Sequence, residues 1–386
     1  MNVYDAASGG EREYSMIKQQ LGRVAAPARV PAATGLVARL SATVFVLGLA
    51  LLGAGCDFAG GGGTAATPHV YAVASHSGAL YQIDEATEKV SDVPLLSTGQ
   101  NATGELVFYK GIGYAAVASW SNSAPGLYRF DPDTPSAGAT RIGGTTSGAI
   151  SAQYIAFASD TLAYVTSADY SKVYGDALYS FNPSDPAAGL TKVADLSYPQ
   201  DVALGSDSRV YVAENGSGKV ARFNAAGTAV ETEIACTTTG ATGLLAGTYG
   251  GKAGIFVGNS GPLDASWAYT NGSIDFIADS GTSAIAVVTG PVVGRMALLV
   301  SSTLLATGGY PAKTWAIDLG ATQPEAKEVL NGVASFGGSD INVYGNYAYI
   351  PDGTNTVYVF SSLAGPVTKL TVGNSGELVT NVGIDY

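Results

Sequence analysis

At 386 residues the chain is long enough for two or three ordinary domains, yet only 13% of it is charged while 46% is apolar. Its 51 Gly and 22 Tyr against 3 Met suit short strands and many turns rather than helices, whose exposed faces need Glu, Lys and Arg. The apolar content argues against disorder. Formal charge is −12, and beyond residue 56 the balance is 14 basic to 28 acidic residues, or −14, so nucleic acid and anionic lipid are poor partners.

Taken in order, the chain starts with a polar, Ala/Pro-rich segment that turns basic before Leu40–Gly55, LSATVFVLGLALLGAG, which carries no charge and is followed by Cys56. A basic flank, an apolar run and small residues at its end predict a secretory signal peptide over 1–55. The run falls short of the ~20 residues a spanning helix needs. Met16 is an alternative start. Leu52-Gly53-Ala54-Gly55-Cys56 resembles a bacterial lipobox, which implies lipidation at Cys56; it departs from that pattern at Gly53, where an apolar residue is usual. Residues 56–68, with the Gly-rich DFAGGGGTAATP, read as a flexible tether. A lipid plus a tether predicts a domain held off a membrane in the cell envelope, in the periplasm or on the cell surface.

From residue 69 one phrase recurs. LYRFDPDT (Leu127–Thr134) has variants at Leu80, Leu178, Val220, Ser273, Thr314 and Val357, starting 47, 51, 42, 53, 41 and 43 residues apart. A period of about 40–50 residues made of short strands is the mark of a propeller blade. Residues 200–235 give the clearest parse: inner strand QDVALGSD, second strand RVYVAENG, third strand KVARFNAAG and outer strand AVETEIA. Inner and second strands are apolar on both faces, as expected when both faces pack on neighbouring blades. The expected fold is all-β: a seven-bladed propeller of four-stranded blades over 69–386. The first repeat lacks an inner strand and the chain ends in NVGIDY (Asn381–Tyr386). The C-terminal strand should therefore complete the N-terminal blade and close the ring.

Within this pattern, YVAENGSGKVARFN (Tyr211–Asn224) and YVTSAD (Tyr164–Asp169) resemble the YVTN-type repeat of bacterial and archaeal surface propellers, in the quinoprotein-dehydrogenase-like superfamily. The resemblance covers residues 69–386 as a pattern and those two stretches in letters.

Catalytic chemistry is thinly supplied. The two histidines, His69 and His76, exclude a three-His metal site, and there is no Cys-x-x-Cys-His haem sequence. No Gly-x-Ser-x-Gly elbow supports a triad. The other cysteine, Cys236, reads as a small apolar residue. Around the axis, Glu105, Gln200, Ser339 and Asn381, with Asp201 and Asp340 beside them, form an oxygen-rich set. Propeller lactonases place such residues on inner-strand starts to hold calcium, but this set reads better as solvation of a wet channel mouth. Channel Arg and Lys look too scarce to hold an anionic quinone. No cofactor is expected.

Loops between second and third strands, and between blades, leave one face of a propeller. On that face the candidate ligand-binding residues are His76, Trp120, Asp169, Tyr170, Tyr174, Glu214, Asn215, Trp267, Tyr310 and Asp352. Exposed aromatics with scattered carboxylates and amides suit a glycan or protein surface. The sequence thus predicts a monomeric, non-catalytic envelope propeller that binds a protein or polysaccharide partner. The alternative is a propeller enzyme, a lactonase, lyase or quinone-dependent dehydrogenase, with a site in the channel.

Overall fold

The computed structural model describes residues 69–386, except positions 85–86, 93, 102–103, 120–121, 123, 145–148, 266–267, 301, 310–312, 331–339 and 361–366. The signal segment, Cys56 and the tether lie outside the described residues. Seven antiparallel sheets follow one another, and apart from two 3₁₀ turns, Pro135–Ala137 and Pro186–Ala188, every described element is a strand.

Six blades are strictly sequential. Their inner strands are Leu106–Tyr109 in blade 2, Ala152–Ser159 in blade 3, Pro199–Leu204 in blade 4, Ala241–Tyr249 in blade 5, Arg295–Val300 in blade 6 and Asn342–Tyr344 in blade 7. Each is followed outward by a second, third and outer strand. Blade 1 is built from both ends of the described chain. Its inner strand is Val379–Asp385, which pairs with the second strand His69–Ala74 from His69↔Asp385 to Ala74↔Val379. Its outer strand comes in two short pieces, Lys89–Val90 and Leu96–Ser97. The expected closure is therefore found: the C-terminal strand covers the inner edge of His69–Ala74 that would otherwise stand unpaired.

The alternation of the second strands explains how the ring is held. Val70, Ala72 and Ala74 face the interface with blade 7, while Tyr71 and Val73 face blade 2. The same division repeats, so that seven apolar clusters occupy the seven interfaces between neighbouring blades. The core is thus an annulus of side chains between sheets, with large residues such as Tyr211, Phe223, Phe256 and Phe276 buried within it. Full burial of one such side chain contributes about 1.5–3 kcal/mol, and every blade depends on two neighbours for it.

The repeated phrase has a local cause. Immediately after the third strand, the side-chain oxygen of an Asp or Asn accepts a backbone N–H in the turn: Asp84 from Thr87, Asp131 from Asp133, Asn182 from Ser184, Asn224 from Thr228 and Asp318 from Gly320, each at 2.9 Å. Those at Asp131, Asn182 and Asp318 are Asx turns and those at Asp84 and Asn224 are wider turns of the same kind, and all reverse the chain into the outer strand. They explain the repetition without any ligand chemistry.

Candidate functional site at the channel mouth

The inner strands put their first residues around the propeller axis, and one basic residue stands among them. Arg295 opens the inner strand of blade 6 and is the only Arg or Lys in the seven inner strands. Its guanidinium reaches across the axis to the Glu105 carboxylate of blade 2 at 3.0 Å, to Asp201 of blade 4, and to Asp340 of blade 7 at 3.6 Å. It also stacks on the Tyr154 ring of blade 3, 4.0 Å from the centroid. One side chain thereby ties together five blades.

The carboxylates are also committed to backbone donors. Glu105 Oε2 accepts the Ile155 N–H at 2.7 Å, and Asp201 accepts the N–H groups of Val202 and Leu244, both at 2.7 Å. Asp340 accepts from Ile341 at 2.9 Å, from the Asn342 amide at 3.1 Å and from the Val382 N–H at 3.4 Å. In each case one donor, Ile155, Leu244 or Val382, sits on the next inner strand round the ring. Each carboxylate is therefore a staple between blades as well as a counter-ion.

Three carboxylates around one guanidinium leave excess negative charge, and burial makes that costly. Burial, with Asp201 and Asp340 beside it, pushes the Glu105 carboxyl up to about 8 against the pull of Arg295 and the Ile155 N–H. At neutral pH Glu105 thus keeps its proton and still offers its carbonyl oxygen to the guanidinium. Burial also raises Asp201 and Asp340 above the ordinary carboxylate range, with Arg295 opposing it. The Arg295 guanidinium stays charged, because the four acidic groups around it outweigh its desolvation.

The axial set expected from sequence is thus corrected. Glu105, Asp201 and Asp340 do converge, but they are sequestered on an arginine instead of solvating a wet mouth; Asp201 is 3% and Asp340 2% exposed. Asn381 is buried too, its amide donating to the Thr380 hydroxyl at 2.9 Å, and Ser339 lies outside the described residues. A divalent cation does not fit this centre. The guanidinium occupies the point where the carboxylates meet, and no group of three His, Cys, Asp or Glu among the described residues could hold a metal. Arg295 was missed in the sequence, and its being the one Arg or Lys in the seven inner strands is the signal that could have found it.

Beside this floor, on the face where the inner strands begin, lies a cavity of about 170 Å³. It is lined by Tyr154, Tyr198, Gln200, Thr242, Gly294 and Tyr269, by Asn215 at the tip of the blade 4 hairpin, and by Ser260 of blade 5. The hydroxyls of Thr242 and Ser260 donate to main-chain carbonyls. Blades 5 and 6 approach closely here: a Cβ on Gly243 would fall 2.3 Å from the Gly294 carbonyl oxygen, so only glycine fits. Burial raises the Tyr198 phenol, reinforced by Asp176, Tyr269, Asp169 and Tyr170 nearby.

The ten loop candidates separate into three groups. Trp120, Trp267 and Tyr310 lie outside the described residues. Asp169, Glu214 and Asp352 are buried and brace loops of this face. Asp169 accepts the Ser119 hydroxyl at 2.7 Å, the Tyr174 N–H at 2.8 Å and the Ser171 hydroxyl; these bonds overcome its desolvation and hold its carboxyl below the usual range. Glu214 accepts the Ser197 N–H at 2.7 Å, and its carboxyl is raised by burial. Asp352 accepts the Thr354 N–H at 2.8 Å and hydroxyl at 2.6 Å. The remaining four reach solvent: Tyr170 is 81% exposed, His76 is exposed with Nδ1 3.3 Å from the Gly376 carbonyl, and Tyr174 and Asn215 are half-buried. Of the seven described candidates, only Asn215 borders the cavity. Cys236, half-buried after the outer strand of blade 4, has its thiol pushed up to about 12 by burial and by Asp275.

No family model matches the chain, and no curated protein matches it in sequence. Solved structures do match in fold. A functionally unknown protein from Desulfotomaculum acetoxidans superposes with a TM-score of 0.59 at 12% identity, covering 82% of this chain and 98% of its own. A candidate 6-phosphogluconolactonase from Bacteroides fragilis gives 0.59 at 11% identity, with coverage of 84% and 99%. A protein from Lactobacillus plantarum gives 0.58 at 14% identity, with coverage of 83% and 99%. At such identities the likeness is one of fold: this chain is a seven-bladed β-propeller.

Proposed function

We propose that the chain is a non-catalytic binding propeller of the cell envelope, which holds a protein or glycan partner on the face where the inner strands begin. One observation carries this reading. The two longest second-to-third-strand loops of that face, residues 167–176 and 259–272, expose Tyr170, Val173, Leu263 and Tyr269 at 81, 73, 47 and 38%, beside a cavity whose lining includes Tyr269. Exposed apolar and aromatic side chains next to a polar recess are what a recognition surface needs. Affiliation with the YVTN-type propellers is part of the proposal, supported by Tyr164 and Tyr211, which occupy equivalent second-strand positions. So is anchoring through a lipid on Cys56, supported by the apolar run and tether around it.

The experiment uses the full chain as bait against extracts of its own envelope, in parallel with a Tyr170→Ala/Tyr269→Ala variant. Partner retained by the native chain and lost by the variant is the expected result; equal retention by both would overturn the assignment of this face. For the anchor, Cys56→Ser should release the protein into the soluble fraction.

A second reading has one observation in its favour. A carboxyl held at about 8 in a central channel, as Glu105 is, has the proton affinity of a general acid at neutral pH, and one fold neighbour is a candidate 6-phosphogluconolactonase. Against it, an anionic phosphate ester needs a free cation, whereas Arg295 already faces three acidic groups. Hydrolysis of a phosphorylated sugar lactone that Glu105→Gln abolishes would establish the enzyme reading; no turnover is expected.

A further inference from the structure

The cavity beside the axis has a more specific chemistry than a partner surface in general. Resting on the binding reading above, we infer that it is a subsite for one uncharged, hydroxyl-rich ring, a single neutral sugar residue of a glycan.

Size sets the first limit. At about 170 Å³ the cavity is well below the about 300–1,000 Å³ of pockets for larger ligands, so the cavity itself takes one ring, while Tyr269, Val292 and Gly309 are shared with a wider recess of about 1010 Å³ where the rest of a glycan would lie. The donors and acceptors set the second. The side-chain amides of Gln200 and Asn215 both line the cavity, and neither has a hydrogen-bond partner among the described residues, in a protein where nearby hydroxyls, amides and carboxylates are bonded. An amide offers both a donor and an acceptor, which matches the hydroxyl of a sugar, itself both donor and acceptor. The Tyr269 ring supplies an apolar wall on which the C–H face of a pyranose can lie, beside Tyr154 and Tyr198, whose rings also carry Arg295 and Lys172.

Electrostatics set the third limit. The floor of Glu105, Asp201 and Asp340 around Arg295 leaves net negative charge under the cavity, and the body of the chain is at −14. Phosphorylated or carboxylated sugars are repelled. A cation gains little, because the floor carboxylates are occupied by Arg295 and by backbone N–H groups and offer it no direct contact.

Saturation-transfer NMR and calorimetry on the full chain test this with glucose, galactose, mannose and N-acetylglucosamine as probes, and with glucose 6-phosphate and glucosamine as the charged comparisons. At least one uncharged sugar should bind. Gln200→Ala/Asn215→Ala should weaken it tenfold or more with an unchanged thermal midpoint, and glucose 6-phosphate should bind at least tenfold more weakly than glucose. Should the double variant unfold, Asn215→Asp, which keeps the acceptor and the shape, must still weaken binding. The inference is overturned if no uncharged sugar binds, if binding survives the double variant, or if either charged sugar binds more tightly than its neutral counterpart. Failure of every sugar with envelope retention intact removes this subsite alone, whereas loss of both removes the binding reading with it.

Discussion

Gln200 and Asp201 are neighbours on one inner strand, yet they belong to opposite regimes. Asp201 points into the axis, is 3% exposed, and holds two backbone N–H groups and a guanidinium. Gln200 faces the cavity and its amide bonds to no described residue. The strand register shifts between Pro199 and Asp201, and such an irregularity re-aims the residue within it, so one step along the chain separates a group that holds the ring together from one left free for a ligand. The buried floor and the open wall should therefore respond oppositely to mutation: the first through stability, the second through binding.

The largest effect should come from removing what the floor rests on. Deleting Thr380–Tyr386 takes away most of the inner strand of blade 1 and the Val382 N–H that Asp340 accepts. It should cost the cooperative thermal transition, and an unchanged melting curve would rule out closure as the source of stability. Next, Arg295→Met leaves three acidic groups facing one another without a cation. Breaking a buried ion cluster on one side costs about 3–5 kcal/mol, to be read from urea unfolding. A loss below 1 kcal/mol would mean the axis is wetter than the burial of Asp201 and Asp340 implies.

Glu105 gives the comparison a pH signature. Its carboxyl is raised from the ordinary 4.5 to about 8 in the fold, so its contribution is fully present below the unfolded value and is lost as pH rises through the folded one. The slope is at most about 1.4 kcal/mol per pH unit for one proton. Glu105→Gln should flatten the fall in stability between pH 5 and 8, and parallel profiles for the two proteins would remove the assignment. Asp169 runs the other way. Its carboxyl is depressed, so its support of the 167–176 loop is present above the ordinary carboxylate value and fades as acid protonates it. Asp169→Asn should cost about 1 kcal/mol and speed amide exchange at Ser171 and Tyr174 selectively. Smallest on this scale is Gln200→Ala, expected within about 0.5 kcal/mol of the native chain; a larger loss would place its amide in the frame of the ring rather than at a ligand.

Much of the frame was legible because strands advertise themselves locally. The period of LYRFDPDT, the two-faced apolar second strands such as Val70–Ala74 and the unmatched inner strand at the end of the chain all follow from backbone geometry and from which faces must be buried. Local signals also misled. Asp169, Glu214 and Asp352 look like surface carboxylates in sequence, yet Asp169 and Asp352 fold back onto their own loops and Glu214 onto Ser197 in the connection entering its blade, because an acidic side chain is buried where nearby N–H groups need an acceptor.

The sequence alone determined the number of blades, the strands within them and the joining of the ends, since each rests on contacts within about 50 residues or on one missing strand. Only the tertiary structure decided what stands at the axis. Glu105, Asp201, Arg295 and Asp340 are 96, 94 and 45 residues apart along the chain, and nothing in any repeat marks them as partners. They meet because closing seven blades points every inner strand at one line, where a lone guanidinium becomes the only counter-charge for three buried acids.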